Sequence, residues 1–349
     1  MMSRRSVTGV FSLCVGFQGD TKMAARRLPL HRMKLSRRSI LDVALLIVVN
    51  TMWAAQYSAY KVATEKMGPI TVGAWTFLIA GLVLLPFLLW GRRSSSAQQN
   101  TNPEANKKSL ASRRNVIGFL AIGIGGLVPA SAFLAWGVDR STASNAALIY
   151  LTVPIITAVL ASVIVDEKMT LVRWGSLGIS VVGVLILSDF NWRHMELTSN
   201  KYLLGNCLVL LACASSAFYN VYSKELLRRF APLEVLVYGY FLALAVSVPL
   251  LIWVEPLTRE AVCGYGARVW IALLILSGLS WGLAMVLWMF LLKRLDVSQA
   301  SVSIYLLPFL GVLISAITLH EQITPTMVVG GLVTLAGTIL ITSLDATSG

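Results

Sequence analysis

Long apolar stretches, separated by short polar or charged connections, occupy almost all of the chain after Ser39. A helix needs about 20 mostly apolar residues to cross a hydrocarbon core of about 30 Å. The stretches that meet this requirement are bounded by charged residues, Gly or Pro. They predict an all-α integral membrane protein with ten spans, at residues 40–60, 69–90, 115–137, 143–165, 171–188, 203–223, 233–254, 268–291, 297–319 and 325–343.

Residues that end helices or follow them recur at fixed intervals, which indicates an internal duplication. One set recurs after 163 positions, as Lys61 with Lys224, Pro69 with Pro232, and Pro86 with Pro249. A second set recurs after 154 positions, as Pro154 with Pro308, Glu167 with Glu321, Thr170 with Thr324, and Gly183 with Gly337. The chain therefore divides into a first repeat at 40–188 and a second at 203–343, between a basic tail at 1–39 and a C-terminal tail at 344–349.

The composition excludes a water-soluble fold, since 56% of the residues are hydrophobic and 13% are charged, against about 25% charged in an average soluble domain. The net charge of +13 does not indicate nucleic-acid binding, because nine of the 29 basic residues lie in the first 39 positions and six between Arg92 and Arg114. Such clusters keep loops in the cytoplasm. We expect the tail to be disordered, or to extend a chain that starts at Met33; an organellar transit peptide is a further alternative.

The distribution of Lys and Arg predicts the orientation. With the N-terminus in the cytoplasm, 22 basic residues fall on the cytoplasmic side and seven on the other, as the positive-inside rule requires. Each predicted repeat has five spans, so the second repeat enters the membrane from the opposite face. Inverted repeats commonly enclose a site near the bilayer midplane and move around it. The sequence thus predicts two inverted five-helix repeats in the cell (inner) membrane, with both termini cytoplasmic.

Short motifs in both repeats resemble those of one known family. The first span contains Trp53-Ala-Ala-Gln-Tyr57-Ser-Ala-Tyr-Lys61, which is similar to the family motif Trp-Gly-Ser-x-Phe-x-x-x-Lys. The start of a fourth helix is matched by Ser141-Thr-Ala-Ser-Asn-Ala-Ala147 before Pro154, and by Val297-Ser-Gln-Ala-Ser301 before Pro308. The acidic turn after that helix is matched by Glu167 with Thr170, and by Glu321 with Thr324. On these motifs residues 40–343 resemble the drug/metabolite transporter superfamily, EamA type, which implies a ten-helix secondary transporter of a small metabolite, often an exporter.

The chain departs from this family pattern at several positions. Ala54 replaces the glycine that follows the first-helix tryptophan, and Asp166 and His320 replace the glycine before the acidic turn. Thr76 stands where the second helix of the family frequently has arginine. Loss of that arginine removes a natural partner for an anionic substrate.

Polar and aromatic side chains within the spans are candidates for a substrate cavity, because an unpaired polar group in hydrocarbon is costly. These candidates are Trp53, Tyr57, Thr76, Trp136, Asn145, Tyr150, Tyr219, Asn220, Tyr238, Gln299 and Tyr305. Interhelical hydrogen bonding is the alternative for the polar groups, and packing or an interfacial girdle is the alternative for the aromatic rings. We expect Pro154 and Pro308 to kink their helices and to serve as hinges.

Four charged residues lie at span ends and are interpreted as structural or gating groups: Lys61, Glu167, Lys224 and Glu321. We expect each carboxylate to cap or fix the helix that follows it, and each lysine to extend towards the lipid headgroups. Gating or proton coupling by the carboxylates, and substrate contact by the lysines, are the alternatives.

No catalytic residue, metal site or cofactor is predicted. His320-Glu321 begins like a zinc-protease helix, but Thr324 occupies the place of the second histidine. The predicted function is export of a small metabolite, such as an amino acid or drug-like compound, by alternating access. Exchange of phosphorylated or nucleotide-linked metabolites is the alternative, and a non-transporting receptor or a membrane-embedded enzyme comes third. The expected partners are a small-molecule substrate and the lipid bilayer, without nucleic acid, and a homodimer stays open.

Overall fold

The computed structural model describes residues 37–98, 112–141, 146, 149–187, 200–255, 257–319 and 324–344. The predicted cavity residue Asn145 and the predicted charge Glu321 lie outside these ranges. Almost all of the predicted N-terminal tail lies outside them as well. Its last three residues, from Arg37, already belong to the first helix.

Every regular element in the described ranges is a helix, which confirms the all-α prediction for that part of the chain. The helices are α1 (Arg37–Thr64), α2 (Pro69–Gln98), α3 (residues 113–139), α4 (Thr152–Ile164), α5 (Leu171–Leu187), α6 (Asn200–Leu227), α7 (Pro232–Val254), α8 (Arg259–Gly264), α9 (Gly266–Arg294), α10 (residues 297–319) and α11 (Pro325–Leu344). The sequence did not predict α8. It is a single short element whose first turn is capped by the Thr258 side chain, which accepts from the Ala261 N–H.

Seven of the described helices are long and apolar enough to cross a membrane: α1, α2, α3, α6, α7, α9 and α11. They coincide with seven of the predicted spans. The other three predicted spans correspond to shorter apolar helices, at Thr152–Ile164, Leu171–Leu187 and Val297–Gly311. Large apolar side chains such as Val163, Leu171 and Trp253 are exposed on the outside, as expected where the surrounding solvent is lipid.

Four helices depart from regular α-helical geometry, and they do so in related pairs. α3 and α9 contain π-helical segments, at Ala121–Leu127 and Leu276–Ala284. Residues 149 and 150 are helical, the chain turns at Leu151, and α4 begins directly afterwards. In the second copy, a 3₁₀ turn at Ser303–Tyr305 interrupts α10. The interruptions in α4 and α10 occur at equivalent positions of the two copies.

Pro154 and Pro308 are each the third residue of the helical segment that resumes after these interruptions. A proline is tolerated in a first turn, because its missing N–H would have no acceptor within that segment. The helices are therefore interrupted directly before the prolines. A hinge function for either proline stays a prediction.

α5 and α11 pack so closely that glycine is required at two equivalent positions. A β-carbon at Gly183 would lie 2.6 Å from the backbone N of Thr334, and one at Gly337 would overlap Oγ of Ser180. Ser180 and Thr334 are themselves separated by 154 positions, as are the two glycines. The contact of Gly183 with Thr334 and that of Gly337 with Ser180 are thus images of each other.

Candidate functional site

The end of α4 is shaped by a residue in the left-handed region of backbone conformation. Asp166 has φ of 59°, and the N–H of Glu167 bonds back to the carbonyl of Ala161 at 3.1 Å. This bond satisfies a carbonyl near the end of the helix, and glycine is the usual residue at a left-handed position after a helix. The requirement explains why the family pattern has glycine here. It also turns the chain so that the Glu167 side chain points away from α4.

The Glu167 carboxylate caps α10. Its Oε1 accepts from the Val297 N–H at 2.6 Å, and its Oε2 accepts from the Ser298 N–H at 3.0 Å and from the Ser298 hydroxyl at 2.8 Å. Glu167 is buried. A carboxylate on the free N–H groups of a helix start is favoured by hydrogen bonding and by the helix dipole. The sequence predicted a cap on the helix that follows Glu167, and that prediction is wrong: the capped helix begins 130 residues later.

The helix that follows Glu167 is capped instead by Thr170, whose Oγ1 accepts from the N–H of Arg173 at 3.2 Å. In the second copy Thr324 accepts from the N–H of Met327 at 3.3 Å, in the same way. The two threonines thus start α5 and α11 with identical local geometry. This leaves Glu167 free for a tertiary contact.

Arg173 joins the same cluster from α5. Its guanidinium donates to the Ser298 hydroxyl at 3.2 Å and forms an ion pair with the Asp296 carboxylate. Asp296 also starts a capping box, in which its N–H donates to Oε1 of Gln299 at 3.2 Å. Gln299 therefore lies in the first turn of α10, and its place in a substrate cavity stays a prediction.

Lys224, near the end of α6, completes the cluster. Its ammonium donates to the carbonyls of Leu292 and Leu295, both at 2.6 Å. These are orphan carbonyls at the C-terminus of α9, where a cation is favoured. The lysine therefore binds a helix end instead of extending to the headgroups as predicted. We call Glu167, Arg173, Lys224, Asp296 and Ser298 the Glu167 cluster.

A second carboxylate, that of Glu255, caps the start of α2. Glu255, directly after α7, accepts from the Thr71 N–H at 2.9 Å and from the Thr71 hydroxyl at 2.8 Å. A methyl group at Gly68 would overlap this carboxylate. Lys66 donates to the carbonyl of Gly264 at 2.8 Å. A cavity of about 170 Å³ is bordered by Lys66, Gly68, Thr71 and Glu255.

Tyr265 lies against the same cavity. Burial raises its pKa above the ordinary value, and the neighbouring Glu255 carboxylate raises this pKa further. The tyrosine hydroxyl therefore stays protonated throughout the physiological range.

Aromatic side chains from α1, α2, α7 and α9 pack together between the helix ends. The rings of Trp53 and Trp288 lie 5.1 Å apart, and Phe77 stacks on Tyr240 at 5.7 Å. The Tyr240 hydroxyl donates to the carbonyl of Trp281, within the π-helical segment of α9, at 2.6 Å. These contacts place large aromatic surfaces in the interior of the helix assembly, as expected for packing or for a cavity wall.

Asn220 is a predicted cavity residue that bonds directly to this aromatic group. Its Oδ1 accepts from the indole N–H of Trp288 at 3.1 Å. Trp288 is fully buried and Asn220 is partly buried.

The remaining cavity candidates are distributed over several environments. Thr76 is buried and its Oγ1 has no partner within the described structure. Tyr219 is buried, and Tyr238 lies edge-on to Phe119. The ring centres of Trp136 and Phe133 are 6.4 Å apart. Their place in a substrate cavity stays a prediction.

Two further tyrosines lie close to the interruptions of α4 and α10. Tyr150 packs against the cluster around Ala146 and Val153. Tyr305 is buried and donates to the carbonyl of Leu151 at 2.7 Å. For Tyr57 and Lys61 the structure gives the position on α1 and not the side chain.

Among the charged residues at these helix ends, sequence reasoning missed Arg173, Asp296 and Glu255, as well as Lys66, whose partner is 198 residues away. Asp296 carried a local signal, since Asp-x-x-Gln before an apolar run is a capping box. The others lacked one, because their partners are more than 100 residues away in sequence. Within the described residues, no three His, Cys, Asp or Glu side chains gather as a metal site would require.

Comparison with known proteins shows where this architecture belongs. The family model described as "EamA-like transporter family" matches residues 41–189 and 203–343. A protein of Streptantibioticus cattleyicolor described as "Probable terminal-alkyne amino-acid exporter" is 25% identical over 312 residues, covering 88% of this chain and 94% of the exporter.

Two further comparisons agree with this match. The "Uncharacterized transporter YoaV" of Bacillus subtilis is 25% identical over 294 residues, covering 84% of this chain and 93% of that protein. A solved crystal structure superimposes with a TM-score of 0.69 at 18% identity, covering 90% of this chain and 99% of the other. The last likeness concerns the fold alone. The chain is a multi-pass membrane protein and a transporter, not an enzyme, and it belongs to the EamA-like transporter family.

Proposed function

We propose that this protein exports an amino acid or a related small, amphipathic metabolite by alternating access between two inverted five-helix repeats. The proposal places ten spans in the cell (inner) membrane with both termini in the cytoplasm. The substrate class comes from the relative described as a probable terminal-alkyne amino-acid exporter.

The observation that carries the proposal is the repetition of contacts between equivalent positions. The contacts of Gly183 with Thr334 and of Gly337 with Ser180 are images of each other, and Thr170 and Thr324 cap α5 and α11 alike. Such pairs are expected when two copies of one fold face each other across a pseudo-twofold axis. In inverted repeats, that axis lies in the membrane plane and the substrate site lies on it.

The contacts between helix ends also support the proposed topology. The Glu167 cluster joins the ends of α4, α6 and α9 with the starts of α5 and α10, all of which the topology places in the cytoplasm. The Glu255 contacts join the end of α7 with the start of α2, both of which it places outside. Among the described residues, the polar contacts of the Glu167 cluster outnumber those of Glu255. This supports our proposal that the structure is in the conformation closed towards the cytoplasm.

The placement of charge supports a neutral or zwitterionic substrate. Among the described residues, the buried charged side chains are Glu167 and Arg173. Both lie at helix ends, and both bond to the Ser298 hydroxyl. Exchange of phosphorylated metabolites would require a basic side chain directed into the substrate cavity, whereas the described Arg173 and Lys224 bond to groups at helix ends. The exchanger is therefore not favoured.

Reconstitution into liposomes tests the proposed function. The purified protein is assayed with labelled amino acids, including the terminal-alkyne amino acid L-propargylglycine, with and without a pH gradient. We expect saturable flux of at least one amino acid and none in liposomes without protein. Absence of flux of every amino acid under either condition would reject the proposal.

A further inference from the structure

The hydrogen bond between Trp288 and Asn220 determines which end of the Asn220 amide is free. An indole N–H can donate and cannot accept, so it must face the amide oxygen. The 3.1 Å bond from Nε1 of Trp288 to Oδ1 of Asn220 has this geometry. The Nδ2 group, with its two hydrogens, is consequently directed away from Trp288.

The Nδ2 group of Asn220 makes no hydrogen bond with any described residue, and it is solvent-accessible. Within a membrane protein a free amide donor is costly unless it meets water or a ligand. Asn220 therefore borders a space that holds one or the other.

This space lies on the inward side of α6. Asn220 is nine residues from Leu211, which places it about 180° around the helix at 3.6 residues per turn. Leu211 is exposed towards the lipid, whereas Trp288, the partner of Asn220, has no exposed surface. Like Asn220, Trp53 is only partly buried, and its ring lies 5.1 Å from that of Trp288. The free amide and the face of Trp53 thus border the interior of the helix assembly.

We propose that Asn220 recognises the carboxylate of the transported amino acid by donating its Nδ2 hydrogens, and that Trp288 is the positioning residue that keeps this end of the amide turned to the substrate. The inference rests on the proposed function and adds the group by which the substrate is recognised. A carboxylate oxygen accepts such a bond more strongly than a neutral carbonyl does. Because the donor carries no formal charge, the site can bind a carboxylate without the arginine that Thr76 replaces.

Two substitutions separate recognition from structure. Asn220→Asp keeps the acceptor for Trp288 and removes both hydrogens, while Trp288→Phe keeps the aromatic contact with Trp53 and frees the amide to rotate. Trp90→Phe is the matched control, since Trp90 is 72% exposed on α2. Flux in liposomes is measured for L-propargylglycine and for its carboxamide, in which a neutral group replaces the carboxylate.

For Asn220→Asp we expect KM for L-propargylglycine to rise about tenfold or more, while KM for the carboxamide changes less than about threefold. For Trp288→Phe we expect a smaller rise in KM, an unchanged maximum rate and a reduced preference for the acid over the amide. Trp90→Phe should match the wild type. If Asn220→Asp fails to fold, the acid-to-amide preference of Trp288→Phe decides.

An unchanged acid-to-amide preference in either folded variant would overturn the inference and leave the transporter assignment intact. Equal KM values of the wild type for acid and amide would have the same consequence. A wild type that moves no amino acid at all would instead reject the proposed function.

Discussion

The Tyr305 hydroxyl donates a hydrogen bond to the carbonyl of Leu151 at 2.7 Å, and these two residues are 154 positions apart. That separation is the interval between the two copies, so a residue of α10 bonds to its own counterpart at the start of α4. In the proposed arrangement of two inverted repeats, equivalent residues can touch only close to the pseudo-twofold axis that relates the copies. The proposed axis therefore passes close to Leu151 and Tyr305.

Tyr305→Phe removes this bond and keeps the ring. We expect a loss of stability of about 0.6 kcal/mol, and at most about 1.7 kcal/mol, the range found for hydrogen bonds between membrane helices. Thermal unfolding in detergent measures the change. Tyr202→Phe, at the start of α6, is the control and should not differ from the wild type. A melting temperature of Tyr305→Phe equal to that of the control would contradict the prediction.

Gly183→Ala should disrupt the interface of α5 with α11. Its new methyl group would overlap Oγ1 of Thr334 and lie 2.6 Å from the backbone N of the same residue. Overpacking of this kind costs about 1–3 kcal/mol. Gly178→Ala, on the same helix, is the matched control, because its new methyl group would have no neighbour within 4 Å. We expect a lower melting temperature for the first variant only; similar values for both would refute the packing described above.

Asp166→Gly should stabilise the protein. Asp166 has φ of 59°, a conformation that costs an L-residue free energy and costs glycine almost none. We expect a gain of about 0.5–1 kcal/mol in thermal unfolding. Asp166→Val should have the opposite sign, since a β-branched residue resists this conformation. A loss of stability in Asp166→Gly would show that the Asp side chain contributes more than its backbone strain costs.

Glu167→Gln should destabilise the cap of α10. Three donors converge on the carboxylate, and the amide offers one acceptor and a donor that opposes one of them. Leaving a buried donor unpaired costs about 1–3 kcal/mol. Glu260→Gln, on exposed α8, is the control. Equal melting temperatures of the two variants would mean that Glu167 is not the cap.

The ion pair of Arg173 with Asp296 has no counterpart in the other copy, where Met327 and Thr142 occupy the equivalent positions. Under the proposed alternating access, this pair stabilises the conformation closed on the cytoplasmic side and has no equivalent when the other side closes. Arg173→Met should therefore shift the population towards the conformation open to the cytoplasm. Asp296 is 41% exposed, so we expect a shift of about fivefold, which corresponds to about 1 kcal/mol.

Accessibility from the cytoplasm measures this shift. A cysteine is placed at buried Ser301 in a cysteine-free background, and its labelling by a membrane-impermeant maleimide is timed in inside-out vesicles. Arg268→Met is the control, because its pairing with Glu65 is exposed and belongs to the opposite side in the proposed topology. Labelling of Ser301→Cys that is no faster with Arg173→Met than with the control would contradict the assigned closed state.

The placement of most helices could be predicted from the sequence, because each depends on local properties. Apolar length, flanking charge and the positions of proline define a span without reference to any other part of the chain. Thr170 and Thr324 cap helices through bonds to residues three positions later. Such local caps depend on the neighbouring sequence alone. The duplication could also be predicted from the sequence, since it depends on residue spacing alone.

The candidate site depended on contacts that local patterns do not contain. Asn220 was identified as polar and within a span, but only its bond to Trp288 shows which end of the amide is free. The prediction for Glu167 was wrong because a carboxylate after a helix can cap any helix start within reach, and the left-handed turn at Asp166 directs this one to α10. Sequence by itself determined the apolar spans, the duplication and the family. Tertiary structure decided which charges and amides meet, because hydrogen bonds between helices depend on distance in space and not on distance along the chain.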